Sequence, residues 1–217
     1  MDTQYCRSAP SPRYVELLDL YKNMHDDGQD AEGIPADQMF AGQSLAPLVQ
    51  VIKQVVDRFQ PRTLLDYGAG KGMLYGGPIE IEDTTYESVK AYWGVDKVTC
   101  YDPGYAPFSE LPNGRFDGVI CTDVLEHIPE EDLPWILEEL FAYARVFVFG
   151  NIANYPARKH LPNGENAHCT IKPRPWWEEL IGGIAKGFPN TRYVFTVDSF
   201  VPDAQNGMTK ATEVVAG

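Results

Sequence analysis

The stretch "TLLDYGAGKGMLYGG", Thr63 to Gly77, decides how this 217-residue chain is read. Apolar and β-prone residues run into Asp66, and glycines then fall at Gly68, Gly70 and Gly72. The pattern predicts a buried strand whose tip turns sharply, since glycine lets backbone come close to a ligand without a Cβ clash. A P-loop is excluded because Lys71 is followed by Gly72 and not by Ser or Thr, and the glycine interval is wrong. A dinucleotide fingerprint needs GxGxxG; the spacing here is GxGxG, which argues against a nicotinamide oxidoreductase. An acidic strand tip followed by close-approach glycines suits a ligand with an amino-acid tail and a ribose. Asp66 is the residue to hold the loop amides or, through water, the ligand's ammonium group.

Outward from this stretch, strand-like and helix-like segments alternate, as in an α/β fold with a mostly parallel sheet. "KVTCYD", "FDGVICTD" and "RVFVFGNI" follow as strands, and "RYVFTVDSF" with "TKATEVVA" closes the chain as an antiparallel pair. Helical spacing appears in "RYVELLDLYKNM", through Tyr14, Leu17, Leu18 and Tyr21. It recurs in "SLAPLVQVIKQVVDRF", with Leu45, Leu48, Val49, Ile52, Val55, Val56 and Phe59 on one face, and Pro61 as the stop. A stripe of Leu133, Ile136, Leu137, Leu140 and Phe141 marks another helix, with Glu138 and Glu139 facing water. "RPWWEELIGGIAKG" starts a last one, with Pro175 in its first turn. Residues 1–12 read as a mobile arm, and the acidic loop from Asp26 to Gln38, followed by Met39 and Phe40, as a candidate lid. The chain thus divides into an N-terminal arm, helix and lid over residues 1–44 and a single compact domain over 45–217.

Hydrophobic content of 44% with 12% aromatics fits a soluble globular protein large enough to bury a core. No apolar run reaches bilayer length, and "MDTQYCRSAPSPRY" lacks the apolar region of a secretory leader. Cys6, Cys100, Cys121 and Cys169 form no CxxC pair and read as reduced thiols, so a cytoplasmic location is expected. A formal net charge of −13 disfavours long nucleic acid and anionic membrane as partners. A local exception is the loop carrying Arg158, Lys159, His160, Lys172 and Arg174, which suggests an anionic substrate.

"DYGAGKG" resembles, at every fixed position, the first motif [D/E]xGxGxG of the class I S-adenosylmethionine-dependent methyltransferases. The resemblance implies a Rossmann-like, seven-stranded sheet with an antiparallel last strand. It places Asp66, Tyr67, Gly68, Ala69, Gly70, Lys71 and Gly72 around the methionine end of S-adenosylmethionine. Asp102, followed by Pro103, falls where the family puts the carboxylate that accepts both ribose hydroxyls. "FDGVICTDVLEHIP" is most similar to the ubiquinone-biosynthesis O-methyltransferases, and sets Thr122, Asp123 and Val124 on the rim beside the sulfonium. Two departures stand out. Between Asp102 and Phe116 there is room for little more than a loop, so the edge third strand is expected to be missing. "MLYGGPIEIEDTTYESVKAYWG" is long and broken by Gly76, Gly77 and Pro78, so the first crossover helix is expected to be short or replaced.

"TDVLEHI" spaces Asp123, Glu126 and His127 at i, i+3 and i+4 after a central strand, and His168 follows the next strand at the same sheet end. The pattern is similar to the divalent-metal site of the small-RNA 3′-terminal 2′-O-methyltransferases, which implies Asp123, Glu126, His127 and His168 as candidate metal ligands. Without a metal, His127, with Glu126 and His168, is the candidate set for catalysis, His127 removing a proton from a substrate hydroxyl. Trp176 and Trp177 are either an aromatic wall for the acceptor or core packing. The expectation is O-methylation of a small molecule or sugar. The alternatives are a metal-assisted RNA ribose 2′-O-methyltransferase and a non-catalytic adenosyl-ligand-binding protein.

Overall fold

β1 (Thr63–Tyr67) lies inside a six-stranded sheet in a computed structural model of the chain, which describes residues 4–29, 33–203 and 207–217. It pairs in parallel with β4 (Lys97–Tyr101) on one side and β5 (Phe116–Thr122) on the other. β6 (Ala144–Ala153) and β7 (Arg192–Asp203) continue the parallel run, and β8 (Gly207–Ala216) closes it antiparallel. The order is therefore β4-β1-β5-β6-β7-β8. The chain steps from β1 to one side and returns on the other, so a crevice opens at the C-terminal ends of β1, β4 and β5.

The missing edge strand is as expected: Asp102 to Phe116 holds only a short 3₁₀ turn at Ala106–Phe108. The sheet thus has six strands, not the seven that the resemblance implied. The long segment after the glycines makes no full crossover helix. It folds into a separate hairpin, β2 (Ile79–Ile81) and β3 (Thr84–Tyr86), and one short helix, α3 (Val89–Trp93). Glu82 and Asp83 both take positive φ at the tip (48° and 63°), the geometry whose twist matches a two-residue hairpin.

Helices cover both faces. α2 (Val49–Phe59) packs Ile52 and Val56 against Leu64, Phe147 and Phe149. Its expected first turn is instead a 3₁₀ helix over Gln43–Leu48, because Pro47 has no N–H to give an α-helical bond. On the other face, α4 (Leu133–Tyr143) buries all five residues of its predicted stripe, and α5 (Arg174–Ala185) buries Trp177, Leu180 and Ile181. Glu139 does not face water as expected.

The reason lies in the N-terminal arm, which is docked over its described residues. The Arg7 guanidinium pairs with Glu139, donates to the Tyr101 and Tyr67 hydroxyls (3.0 and 2.7 Å), and lies over the Trp135 ring. Ser11 then caps α1 (Pro12–Asp27), accepting from Tyr14 N (3.0 Å) while its own N–H donates to buried Asp132 (3.0 Å). α1 is thereby laid across the crevice. The lid segment completes the roof: Leu17, Met24, Met39, Leu161 and Ala167 form a small apolar core of their own above the sheet.

Candidate active site

A cavity of about 720 Å³ lies beneath this roof at the strand ends. Asp66, Gly68, Ala69, Gly70 and Gly72 form one wall, Asp102 and Pro103 a second, and Thr122, Asp123 and Val124 a third. His127 and His168 stand at the far end. Five residues with candidate site roles are elsewhere. Strand alternation turns the Tyr67 side chain to the α4 face, where its hydroxyl donates to Glu139 (2.9 Å). Lys71 points to α1, donating to the His25 carbonyl (3.2 Å), its ammonium 4.3 Å from the Tyr105 ring centre. Glu126 is fully buried under the wall, and Trp177 belongs to the core; neither it nor Trp176 lines the cavity.

The glycines answer to protein neighbours as much as to any ligand. Gly68, Gly70 and Gly72 all have positive φ (83°, 55° and 58°). A Cβ at Gly70 would sit 2.3 Å from the Phe40 carbonyl oxygen, and one at Gly68 would sit 2.3 Å from the Val124 side chain. The loop is thus shaped to lock onto the lid, and Lys71 N donates to Phe40 O (2.8 Å).

Two carboxylates mark the cavity's first half. Asp102 accepts from Gly70 N and from Gly104 N (2.8 Å each), which fixes the glycine loop to the end of β4. Each oxygen keeps a lone pair for a further donor. Burial raises the Asp102 pKa, and the amide bonds oppose the shift. Burial pushes Asp66 up to about 7, although the Tyr75 hydroxyl donates to it (2.8 Å). His25, from the last turn of α1, is 5% exposed and stacks on Tyr105 (5.1 Å between ring centres). Burial and the Lys71 charge lower its pKa to about 4.

At the other end, the protons of the two imidazoles can be placed. His127 Nδ1 lies 2.9 Å from the Ala167 carbonyl and His168 Nδ1 lies 2.6 Å from the Tyr155 carbonyl. A carbonyl only accepts, so each Nδ1 carries a hydrogen, and in a neutral imidazole so held the lone pair lies on Nε2. The Tyr21 hydroxyl braces this arrangement, 2.7 Å from His127 Nδ1 and donating to Ala167 O (3.0 Å). Burial lowers the His127 pKa to about 4; His168 and Lys159 push the same way, while Asp123 opposes. The ring is therefore neutral at physiological pH.

Asp123, His127 and His168 each offer a donor atom within 4.8 Å of the others. Asp123 has a positive φ (59°), which swings its carboxylate off the strand end toward the imidazoles. Glu126, the fourth expected ligand, does not join them. Its Oε1 accepts from Ala153 N (2.6 Å), and its main-chain carbonyl accepts from Cys169 N and Thr170 N (2.9 Å each). The turn after β5 is 3₁₀ and not α-helical, which separates positions i+3 and i+4 and sends Glu126 inward.

Residues not anticipated from the sequence come mostly from α1, while Phe40 belongs to the segment read as a lid. Tyr21, His25 and Phe40 line the cavity, as do Tyr155 and Phe200 at its mouth. A signal was present: the α1 stripe Tyr14, Leu17, Leu18, Tyr21 continues one turn on to His25, and its last two members end in polar atoms. Such a face suits a cavity wall better than a core.

A model of the methyltransferase domain family matches residues 39–170, which span all of the cavity walls except α1 and the mouth residue Phe200. Among solved structures, the chain is similar to Burkholderia thailandensis 1,6-didemethyltoxoflavin-N1-methyltransferase with bound 1,6-didemethyltoxoflavin and S-adenosylhomocysteine. Identity is 17%, with 94% of this chain and 88% of that chain covered and a TM-score of 0.49. No curated protein sequence matches. The family match covers well over half of the residues, and the chain belongs to the class I S-adenosylmethionine-dependent methyltransferases.

Proposed function

We propose that the protein transfers the methyl group of S-adenosylmethionine to a hydroxyl oxygen of a small molecule or sugar. The observation that carries this reading is the bare Nε2 of His127 on the cavity wall, past the rim formed by Thr122, Asp123 and Val124. Asp66 and the glycine loop take the methionine end, and Asp102 accepts from the ribose hydroxyls. His25 and Phe40 close the adenosyl end, where the absent edge strand would otherwise contribute. The acceptor oxygen attacks the methyl carbon in line, so the S–CH₃ bond breaks as the O–CH₃ bond forms. The acceptor's proton passes to His127 Nε2, and S-adenosylhomocysteine leaves with the sulfur electron pair. Much of the rate comes from holding two reactants aligned. Burial serves the base by keeping His127 unprotonated, with its lone pair ready.

Replacement of His127 by alanine tests the assignment. Turnover should fall about 100-fold or more, the usual worth of a positioned base. The affinity for S-adenosylhomocysteine, measured by calorimetry, should stay the same. Unchanged turnover would remove His127 from the chemistry, and a labelled product carrying its methyl on nitrogen would overturn the oxygen acceptor.

A second reading adds a divalent cation at Asp123, His127 and His168. The donor set fits: two imidazoles held by Nδ1–H bonds to carbonyls, with a carboxylate beside them, is the arrangement expected around such a metal. A cation there would bind and acidify a hydroxyl or ribose diol of the acceptor. Metal analysis of the purified protein and of His168→Ala distinguishes the readings. Stoichiometric metal lost in the variant supports the cation; metal-free protein with full activity excludes it.

A further inference from the structure

The sequence placed five basic side chains near the site, and the structure separates them. Lys172 pairs with Glu130 (2.5 Å) and Arg174 with Glu178 (3.0 Å), both on the outer surface. The backbone of His160 pairs with Asn166, and its carbonyl accepts from Gln29. Arg158 and Lys159 alone of the five line the cavity. The lining carboxylates are engaged elsewhere: Asp66 with Tyr75, Asp102 with two amides, and Asp123 beside the imidazoles.

The loop that presents these two cations is built rigidly. Asn166 clamps Ala157 from both sides, its Oδ1 accepting from Ala157 N and its Nδ2 donating to Ala157 O (2.9 Å each). Ala167 N donates to Lys159 O (3.2 Å), which ties Lys159 to the strand of loop that carries His168. Leu161 anchors the far end in the lid core. The Lys159 ammonium lies 5.0 Å from the centre of the Phe40 ring, and its charge is felt at His127. At the same mouth, Tyr155 and Phe200 meet edge to face (4.8 Å between ring centres), and Phe200 remains 47% exposed. Two cations carried on a hydrogen-bonded loop beside an exposed aromatic edge suit a ring with an anionic substituent.

We infer that the methyl acceptor is an anion, a cyclic molecule bearing phosphate or carboxylate, which Arg158 and Lys159 hold so that a neighbouring hydroxyl faces His127. This rests on the oxygen-acceptor reading of the same site. The anion offsets the two cations, which share the cavity with no carboxylate paired to either among the described residues. Arg158 supplies forked donors and Lys159 a point charge, and the Tyr155–Phe200 edge stacks against the ring.

Two measurements test the inference. The protein is incubated with methyl-labelled S-adenosylmethionine and a low-molecular-weight cell extract, and the labelled product is passed over an anion exchanger. Retention of the label is expected, and KM for the retained acceptor should rise at least tenfold in Arg158→Ala/Lys159→Ala. Inorganic phosphate is also titrated into protein saturated with S-adenosylhomocysteine, where the wild type should bind it and Arg158→Glu/Lys159→Glu should not. A neutral labelled product, or equal phosphate binding by both proteins, overturns the inference. Calorimetry with S-adenosylhomocysteine on each protein separates the failures. Loss of cofactor binding in the wild type would count against the methyltransferase site itself, whereas intact binding with a neutral product counts only against the anion.

Discussion

Replacing Glu126 tests whether this buried carboxyl serves chemistry or construction. The residue is fully buried, Oε1 accepts from Ala153 N at 2.6 Å, and among the described residues Oε2 has no hydrogen-bond partner. Its surroundings are anionic: burial first, then Asp123 and Asp198, raises its pKa well above the ordinary carboxyl value of 4.5. Glu126→Ala removes the acceptor from a buried amide, at about 1–3 kcal/mol, and leaves a void that adds about 1 kcal/mol. For a chain of this size each kcal/mol lowers Tm by about 2–4 °C, so the fall should be about 5–15 °C. Glu126→Gln keeps the acceptor oxygen and should hold both stability and most of the activity. The sign of the pH dependence follows from the raised pKa. The folded state retains a proton that the unfolded chain releases near pH 4.5, so wild-type stability declines as pH rises from there toward the native value. Glutamine does not titrate, and the glutamine variant should gain on the wild type progressively over that window. Urea melts at several pH values, with turnover measured in parallel, provide the assay. A glutamine variant that is stable yet inactive would show that the carboxylate acts in the reaction and would refute the reasoning.

Gly70→Ala forces a Cβ to within 2.3 Å of the Phe40 carbonyl at a φ of 55°, and the backbone penalty alone is about 1–2 kcal/mol. The lid should detach from the glycine loop, with S-adenosylhomocysteine binding weakened about tenfold or more by calorimetry; unchanged affinity would mean that the lid contact is dispensable. Arg7→Ala leaves Glu139 without its cationic partner on the α4 face, with only the Tyr67 hydroxyl still donating to it among the described residues, and should cost about 2–3 kcal/mol in a urea melt. The double variant with Glu139→Ala should lose less than the sum of the two single losses, and additivity would deny the coupling. His25, with its pKa lowered to about 4, stays neutral in the folded state while the unfolded chain takes up a proton near pH 6.5. Stability should therefore fall as pH drops from 6.5 to 4, and His25→Gln should flatten that slope; an identical slope would assign the loss to other groups.

The alternation of strands and helices, the antiparallel closing pair and the absent edge strand were all legible because they depend on local pattern. Leu133 to Phe141 repeats at helical spacing whatever it packs against, and the interval from Asp102 to Phe116 is simply too short for a helix and a strand. The glycine loop, Asp102 and the rim after β5 were legible for the same reason, as contiguous words at strand ends. Pairs far apart in the chain were not. Arg7 as a short word in an apparent arm says nothing about Glu139, 132 positions later, and only the docked fold shows that the arm is fastened.

Where a side chain points was the other thing hidden from the sequence. The spacing of Asp123, Glu126 and His127 suggested one helical face, but a residue with positive φ followed by a 3₁₀ turn sends Glu126 into the core and leaves two of the three at the cavity. Sequence alone therefore determined the framework and the glycine loop, since hydrophobic period and glycine spacing are properties of neighbouring residues. Tertiary structure alone decided which titratable groups meet, because a turn of a few tens of degrees in the backbone chooses between water, core and cavity for every side chain beyond it.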